Sequence, residues 1–128
     1  PCVYYGSEWG AKARKEDGDP ALRACFAAPE WTELTTFISR LAEVKKSSEA
    51  LNYGNFRSVL LTNKQCIFER KSEHERVLVA INAEDAPFMA HFDAGCGMAQ
   101  ELITDTPHDF GGGSELPPYS AAIWKMEH

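Results

Sequence analysis

The chain has 128 residues, 44% of them hydrophobic and 25% charged, with a formal charge of −6. Such a composition belongs to a globular chain, long enough for one domain or one and a piece with its own core, and too short for a complete (β/α)8 barrel, which takes about 250 residues. The acidic balance argues against nucleic acid and against an anionic membrane surface as partners, and no apolar run approaches the roughly 18 residues of a membrane span.

The run Cys2-Val3-Tyr4-Tyr5 is apolar and aromatic, is closed by Gly6, and reads as a strand buried on both faces. Pro1 stands ahead of it, without an initiating Met or a basic-then-apolar leader, so the chain reads as a fragment cut within that strand. Glu127-His128 at the other end reads equally as native sequence or as the start of a tag. Residues 7–19 are rich in Gly, Lys, Glu and Asp and are expected to form an exposed loop, the kind of segment that carries function at strand ends.

The clearest periodicity predicts a helix over residues 29–46. Pro29 suits the first turn, and Glu30 and Glu33 suit its positive end. Trp31, Leu34, Phe37, Ile38, Leu41 and Val44 form one apolar stripe, and Lys45 and Lys46 close the last turn. From Phe56 the period becomes that of strands, expected over residues 56–62, 65–70, 76–82, 88–92, 99–103 and 119–126. Polar turn segments separate them at the spacing of an antiparallel sandwich or barrel. Pro117-Pro118, ahead of the last strand, cannot lie inside a central ladder.

Cys2, Cys25, Cys66 and Cys96 contain no C-x-x-C pair, and His74, His91, His108 and His128 add no ligand-spaced pair, so no metal site and no cofactor are expected. Two disulfides are arithmetically possible, but free thiols packing as small hydrophobes are preferred. No Asn-x-Ser/Thr sequon occurs, which favours a cytoplasmic location.

Two stretches carry candidate chemistry. In Gly18-Asp19-Pro20-Ala21-Leu22-Arg23, Asp19 precedes a proline and has N-cap geometry, with Arg23 one turn further along the same face. A carboxylate beside a guanidinium can hydrogen-bond adjacent sugar hydroxyls, and the same residues can equally be a cap with an incidental ion pair. In Tyr4-Tyr5-Gly6-Ser7-Glu8-Trp9 the aromatic rings can stack on the apolar face of a sugar or simply fill a core. Asp109-Phe110-Gly111 lacks the other kinase motifs. Gly111-Gly112-Gly113-Ser114 lacks the lysine and helix of a phosphate loop and is expected to be a flexible loop.

Six motifs in order extend the argument: residues 1–8, Asp19-Pro20-x-x-Arg23-x-Cys25-Phe26, the helical stripe, Leu51-x-Tyr53-Gly54-x-Phe56-Arg57, Arg76 through Asn82, and Leu116 through Ala121. Together they resemble the C-terminal end of glycoside hydrolase family 13, the α-amylase family, most closely its neopullulanase, maltogenic amylase and cyclomaltodextrinase branch. The resemblance implies a mainly β fold with an N-terminal helical piece. Residues 1–50 would be the last strand, loop and helix of a catalytic (β/α)8 barrel, and residues 51–128 a C-terminal antiparallel Greek-key β-sandwich. Members of the family hydrolyse α-glucosidic bonds with retention, using carboxylates on earlier barrel strands, so the catalytic residues of an intact parent lie outside this chain. Asp19 and Arg23 match the family's sugar-binding pair, implying an α-glucan or maltooligosaccharide as the parent's ligand. Ser7 departs from the usual Asp before Glu8, and Trp9 replaces a commoner aliphatic residue. The alternative is a sandwich module that stands alone and binds carbohydrate or another domain.

A stripe such as Trp31–Val44, separated from barrel strands, leaves an apolar face to cover, and two chains covering each other's stripes in a symmetric dimer is the expected outcome. Light scattering over a concentration series should show the dimer growing with concentration. A strict monomer whose residues 1–46 are well protected from hydrogen exchange would show instead that the helix finds its cover within its own chain.

Overall fold

The structure is a computed structural model that describes residues 2–126; Pro1 and the Glu127-His128 tag question lie outside the described residues. Two compact units divide the chain, Pro1–Glu43 and Val44–His128.

In the first unit the expected strand does not form. Residues 2–6 enter no ladder, and the chain turns at Tyr5-Gly6, with the Ser7 N–H donating to the Tyr4 carbonyl at 3.0 Å. A strand exists only through its neighbours' hydrogen bonds, and no described segment of this unit runs beside this one. A 3₁₀ turn, Ser7–Trp9, follows, then a second, Lys15–Asp17, and a one-turn helix α1, Asp19–Leu22.

Helix α2, Glu33–Ser47, starts four residues later than the apolar periodicity suggests. Its start is set by two threonines. The Thr35 N–H donates to Thr32 Oγ1 at 3.3 Å, and the Thr32 N–H donates to Thr35 Oγ1 at 3.1 Å, a reciprocal arrangement that satisfies two of the N–H groups a helix start leaves unpaired. Pro29 and Glu30 therefore precede the helix rather than open it. Helix α2 carries the chain into the second unit, where Ser48 caps a short helix α3, Glu49–Tyr53, by accepting from the Leu51 N–H at 3.1 Å.

Among the described residues the second unit has eight antiparallel strands: β1 Asn55–Leu61, β2 Gln65–Lys71, β3 Arg76–Asn82, β4 Phe88–Ala90, β5 Met98–Glu101, β6 Thr106–Asp109, β7 Ser114–Leu116 and β8 Ser120–Met126. Six form one sheet in the order β1-β2-β3-β8-β5-β6, and β4 pairs with β7 in a second. Strand β3 lies beside β8, the last in sequence, so the chain leaves the large sheet after β3 and returns to it, as Greek-key connections do. The fold is thus mainly β, an antiparallel sandwich with an N-terminal helical piece.

Residues from both sheets close the core. Ile67, Leu78, Ala80, Ala99, Trp124 and Met126 of the large sheet pack with Ala90 and Leu116 of the small one. His108 lies flat against Trp124, ring centroids 4.5 Å apart, and its Nε2 is 2.9 Å from the buried Ser114 hydroxyl. Burial holds the His108 pKa below its ordinary value, which keeps the stacked ring neutral.

Strands β6 and β7 were not expected. Strand β6 contains Pro107, tolerable because β6 is an edge strand, and Ser114 at the head of β7 follows three glycines. Instead of a flexible loop, Gly111–Gly113 make a tight turn between these strands, with the Gly113 N–H donating to the Phe110 carbonyl at 3.2 Å. All four cysteines are free; Cys66 and Cys96 are half-buried, whereas Cys2 and Cys25 are exposed rather than packed as small hydrophobes.

One inward-facing acid is held by two arginines. Glu69 of β2 receives a bidentate pair from Arg57 at 3.0 and 3.1 Å and a further short bond from Arg76 Nε. The Arg57 hydrogen bonds, opposed by burial and aided by Arg76, hold the Glu69 pKa down to about 2. A carboxyl depressed in the folded state contributes stability at pH values above its ordinary pKa, and loses it as pH falls through its folded value. Thermal unfolding should therefore show Glu69→Gln less stable than the parent chain by about 2 kcal/mol near neutrality, the usual cost of orphaning a buried pair reduced because Arg57 is partly in solvent. The gap should narrow between pH 4.5 and pH 2. A gap unchanged over that interval would contradict this role for Glu69.

Candidate functional site

The residues singled out for chemistry converge at the start of the first unit, where Gly6 sets the local geometry. Its φ is +84°, a conformation that L side chains rarely adopt, and a Cβ there would lie 3.0 Å from the Phe26 ring and 3.1 Å from Ala11. The backbone of Gly6 is thus pressed onto Phe26. Around that contact the rings interlock: Tyr5 meets Phe26 edge-on at 5.8 Å, Trp9 meets it edge-on at 5.1 Å, and Tyr4 lies 4.7 Å from Tyr5. The Thr35 hydroxyl, at the start of α2, donates to the Glu8 carbonyl at 2.8 Å and pins the 3₁₀ turn.

A cleft of about 240 Å³ opens here, lined among others by Tyr4, Tyr5, Ser7, Lys12 and Leu22. Leu22 belongs to α1, the same helical turn that carries Asp19 and Arg23. Arg23 Nη2 lies 3.8 Å from Asp19 Oδ2, with their side chains 72% and 77% exposed. Asp19 is not the N-cap: Gly18 holds that position, and Asp19 is the first helical residue, with its carbonyl accepting the Arg23 N–H at 3.1 Å. Pro20 explains the shift, because the second helical position also needs no N–H donor.

The cleft's phenols differ in setting. Partial desolvation raises the Tyr5 pKa, the neighbouring Tyr4 adds to this, and the Arg23 guanidinium pulls it the other way, so the cation acts on the cleft's aromatic wall. Tyr5 is a neutral hydrogen-bonding group at physiological pH. A phenol and an ammonium lining the cleft beside exposed rings, with the Arg23 guanidinium near enough to act on Tyr5, suit a neutral polyhydroxylated ring: C–H faces for the aromatics, hydroxyl edges for the polar groups.

Among the stretch 4–9, the structure brings Tyr4, Tyr5 and Ser7 to the cleft, while Trp9 turns to Phe26. Glu8 does not line the cleft; its Oε2 is buried and has no hydrogen-bond partner among the described residues. Lys12 was not anticipated, since one lysine in a charged loop carries no sequence signal. Among the described residues no group of three His, Cys, Asp or Glu could hold a metal ion, and no helix is long and apolar enough to cross a membrane.

No family model matches the chain. Curated relatives do. The chain is 34% identical over 85 residues to a cyclomaltodextrin glucanotransferase from Niallia circulans, covering 64% of this chain and 11% of the relative. It is 36% identical over 84 residues to an α-amylase from the same organism, covering 64% and 15%. The chain thus spans little more than a tenth of the length of these relatives. Among solved structures, a cyclomaltodextrin glucanotransferase with a three-domain ABC distribution aligns with 96% of this chain and 28% of its own, at a TM-score of 0.78 and 23% identity. A variant of AmyP in complex with maltotriose aligns with 74% of this chain and 21% of its own, at a TM-score of 0.69 and 16% identity. Over the aligned residues the chain is similar in sequence to cyclomaltodextrin glucanotransferases and to an α-amylase, and its fold is that of the matched region of these solved structures.

Proposed function

We propose that this chain is the substrate-positioning and structural end of a retaining glycosidase that acts on α-glucosidic bonds of starch-derived maltooligosaccharides. In this reading residues 1–50 complete the catalytic barrel, and residues 51–128 form the C-terminal sandwich. The observation that carries it is the aromatic cleft, with the Asp19–Arg23 pair displayed on the helical turn that supplies Leu22 to the cleft wall.

The division of labour follows from chemistry. Retaining cleavage needs two carboxyl groups about 5 Å apart across the scissile bond, one as nucleophile and one as acid/base. In the first unit Asp19 is paired to a guanidinium in solvent, and neither Asp19 nor Glu8 lines the cleft. What these residues can do is hold a glucose unit. Asp19 accepts from a hydroxyl, Arg23 donates to the adjacent oxygen, and a tyrosine face covers the C–H surface. Binding energy spent at such a remote unit is recovered at the reacting centre as orientation.

Two measurements test this. The purified 128-residue chain should not hydrolyse maltooligosaccharides; turnover that follows the chain through purification and disappears on boiling would overturn the reading. In the full-length enzyme, Arg23→Ala should lower kcat/KM on a substrate reaching that unit by about 10- to 150-fold, the equivalent of one charged hydrogen bond. Unchanged kcat/KM with lowered thermal stability would reduce the pair to a structural role.

A further inference from the structure

Helix α3 ends at Tyr53 and strand β1 begins at Asn55, and the glycine between them cannot be anything larger. A Cβ on Gly54 would lie 2.5 Å from the Ala50 carbonyl oxygen and 2.8 Å from the Lys71 backbone. The chain is therefore pressed against β2 at this point, and the aromatic residues on either side are held outward. Tyr53 is 85% exposed and Phe56 64% exposed, the latter resting on Phe68 with ring centroids 5.3 Å apart. Two large exposed rings three residues apart form a patch rather than a single scattered apolar residue.

The rings border a groove of about 610 Å³ that lies wholly in the second unit. Four of its polar side chains are held in hydrogen-bonded pairs. Arg57 is locked by its bidentate bond to Glu69, and Glu49 receives the Ser72 hydroxyl at 2.9 Å. Fixed groups lose little conformational freedom when a ligand arrives. The groove also mixes signs: Glu49, Glu69 and Glu73 stand among Arg57 and Lys71. Such a lining neither attracts a polyanion nor suits a cationic peptide. It offers paired acceptors and donors to a neutral ligand rich in hydroxyls, beside ring faces that cover its C–H surface.

We propose that this groove is a second glucan-binding surface, separate from the Asp19–Arg23 pair, which takes one or two glucose units of an α-1,4-linked chain on Tyr53 and Phe56. The proposal rests on the α-glucan reading above for the identity of the sugar, and on the groove alone for the place. Its open form and two rings correspond to a weak site with a dissociation constant on the order of 1 mM. Such a site retains a polymer near the enzyme, and in the manner of multivalent binding raises the local concentration of chain ends.

The test is a titration of the 128-residue chain with maltoheptaose, followed by amide chemical shifts. Shifts should move at residues 49–57 and 69–73. Tyr53→Ala and Phe56→Ala should each weaken binding at least 5-fold, and the double variant should abolish it at these residues. Both side chains are mostly in solvent, so the variants should keep the amide spectrum of the fold; Tyr53→Phe, which keeps the ring, should bind as the parent does. Absence of shifts at 49–57, or shifts there that survive the double truncation, would overturn the proposal. Arg23→Ala, titrated in parallel, separates the two sites. Binding lost with Arg23→Ala but untouched by truncating Tyr53 and Phe56 would reject the groove while leaving the first-unit reading standing.

Discussion

The sandwich depends on one buried amide. Asn82, at the end of β3, is 1% exposed, and its side chain reaches three separate segments. Its Nδ2 donates to the carbonyls of Ala86, Leu116 and Pro117 at 2.9, 3.2 and 2.9 Å, and its Oδ1 accepts from Gln65 Nε2 and from the Glu84 N–H. Leu116 closes β7, Ala86 leads into β4, and Pro117 leads into β8. A single amide thus joins the large sheet to the small one and fixes the entry of the strand that carries Trp124. Buried carbonyls left without a donor cost about 1–3 kcal/mol each, so no apolar residue of similar size can replace it.

Buried carboxylates perform a related task on backbone N–H groups that the ladders leave over. Glu75 accepts from the Ser48 hydroxyl at 2.6 Å, the Ala50 N–H at 2.8 Å and Lys125 Nζ at 2.9 Å. Burial alone would raise its pKa, but these donors together hold it below the ordinary carboxylate value. The N-terminus of α3 is therefore bound to the β2–β3 turn by a charge. Glu101 does the same for β5 and β8, accepting from the Ile123 and Thr104 N–H groups and the Thr104 hydroxyl.

Periodicity reveals what depends on apolar burial. The apolar run Val77–Ile81 marks β3 as a strand with both faces covered in part, and the three- and four-step recurrence marks α2 as an amphipathic helix. The same signal misses β6 and β7, which are short and begin or continue with Pro107 and the glycine turn. Their order comes from pairing and from the contact of His108 with Trp124 and Ser114, none of which is local in sequence. Residues 2–6 fail in the opposite sense: the side chains suit a strand, but a ladder needs neighbours. At the candidate site, Asp19 and Arg23 are visible as a pair because a helical turn brings positions four apart together. The reach of Arg23 to Tyr5 is not visible, since it depends on Gly6 reversing the chain onto Phe26. Asn82 looked like an ordinary strand end for the same reason.

The two units differ in how they are held. All but one of the buried residues among those described lie in the second unit; in the first, only Gly6 is buried. Trp31, Leu34, Phe37, Val3 and Tyr4 instead present large apolar surface to solvent. Ordering a residue costs about 1–2 kcal/mol in backbone entropy, and roughly forty residues with no buried core cannot recover that from their own contacts. Hydrogen bonds such as those from Thr32, Thr35 and Ser7 fix local turns but contribute about 1 kcal/mol each. The precision with which Asp19 and Arg23 are displayed therefore has to come from covering that apolar face. The sugar site proposed for Asp19 and Arg23 is only as well defined as whatever covers the stripe of α2. The groove beside Tyr53 and Phe56 stands on a sandwich that buries Trp124, Ile67 and Leu78 unaided and owes nothing to that cover.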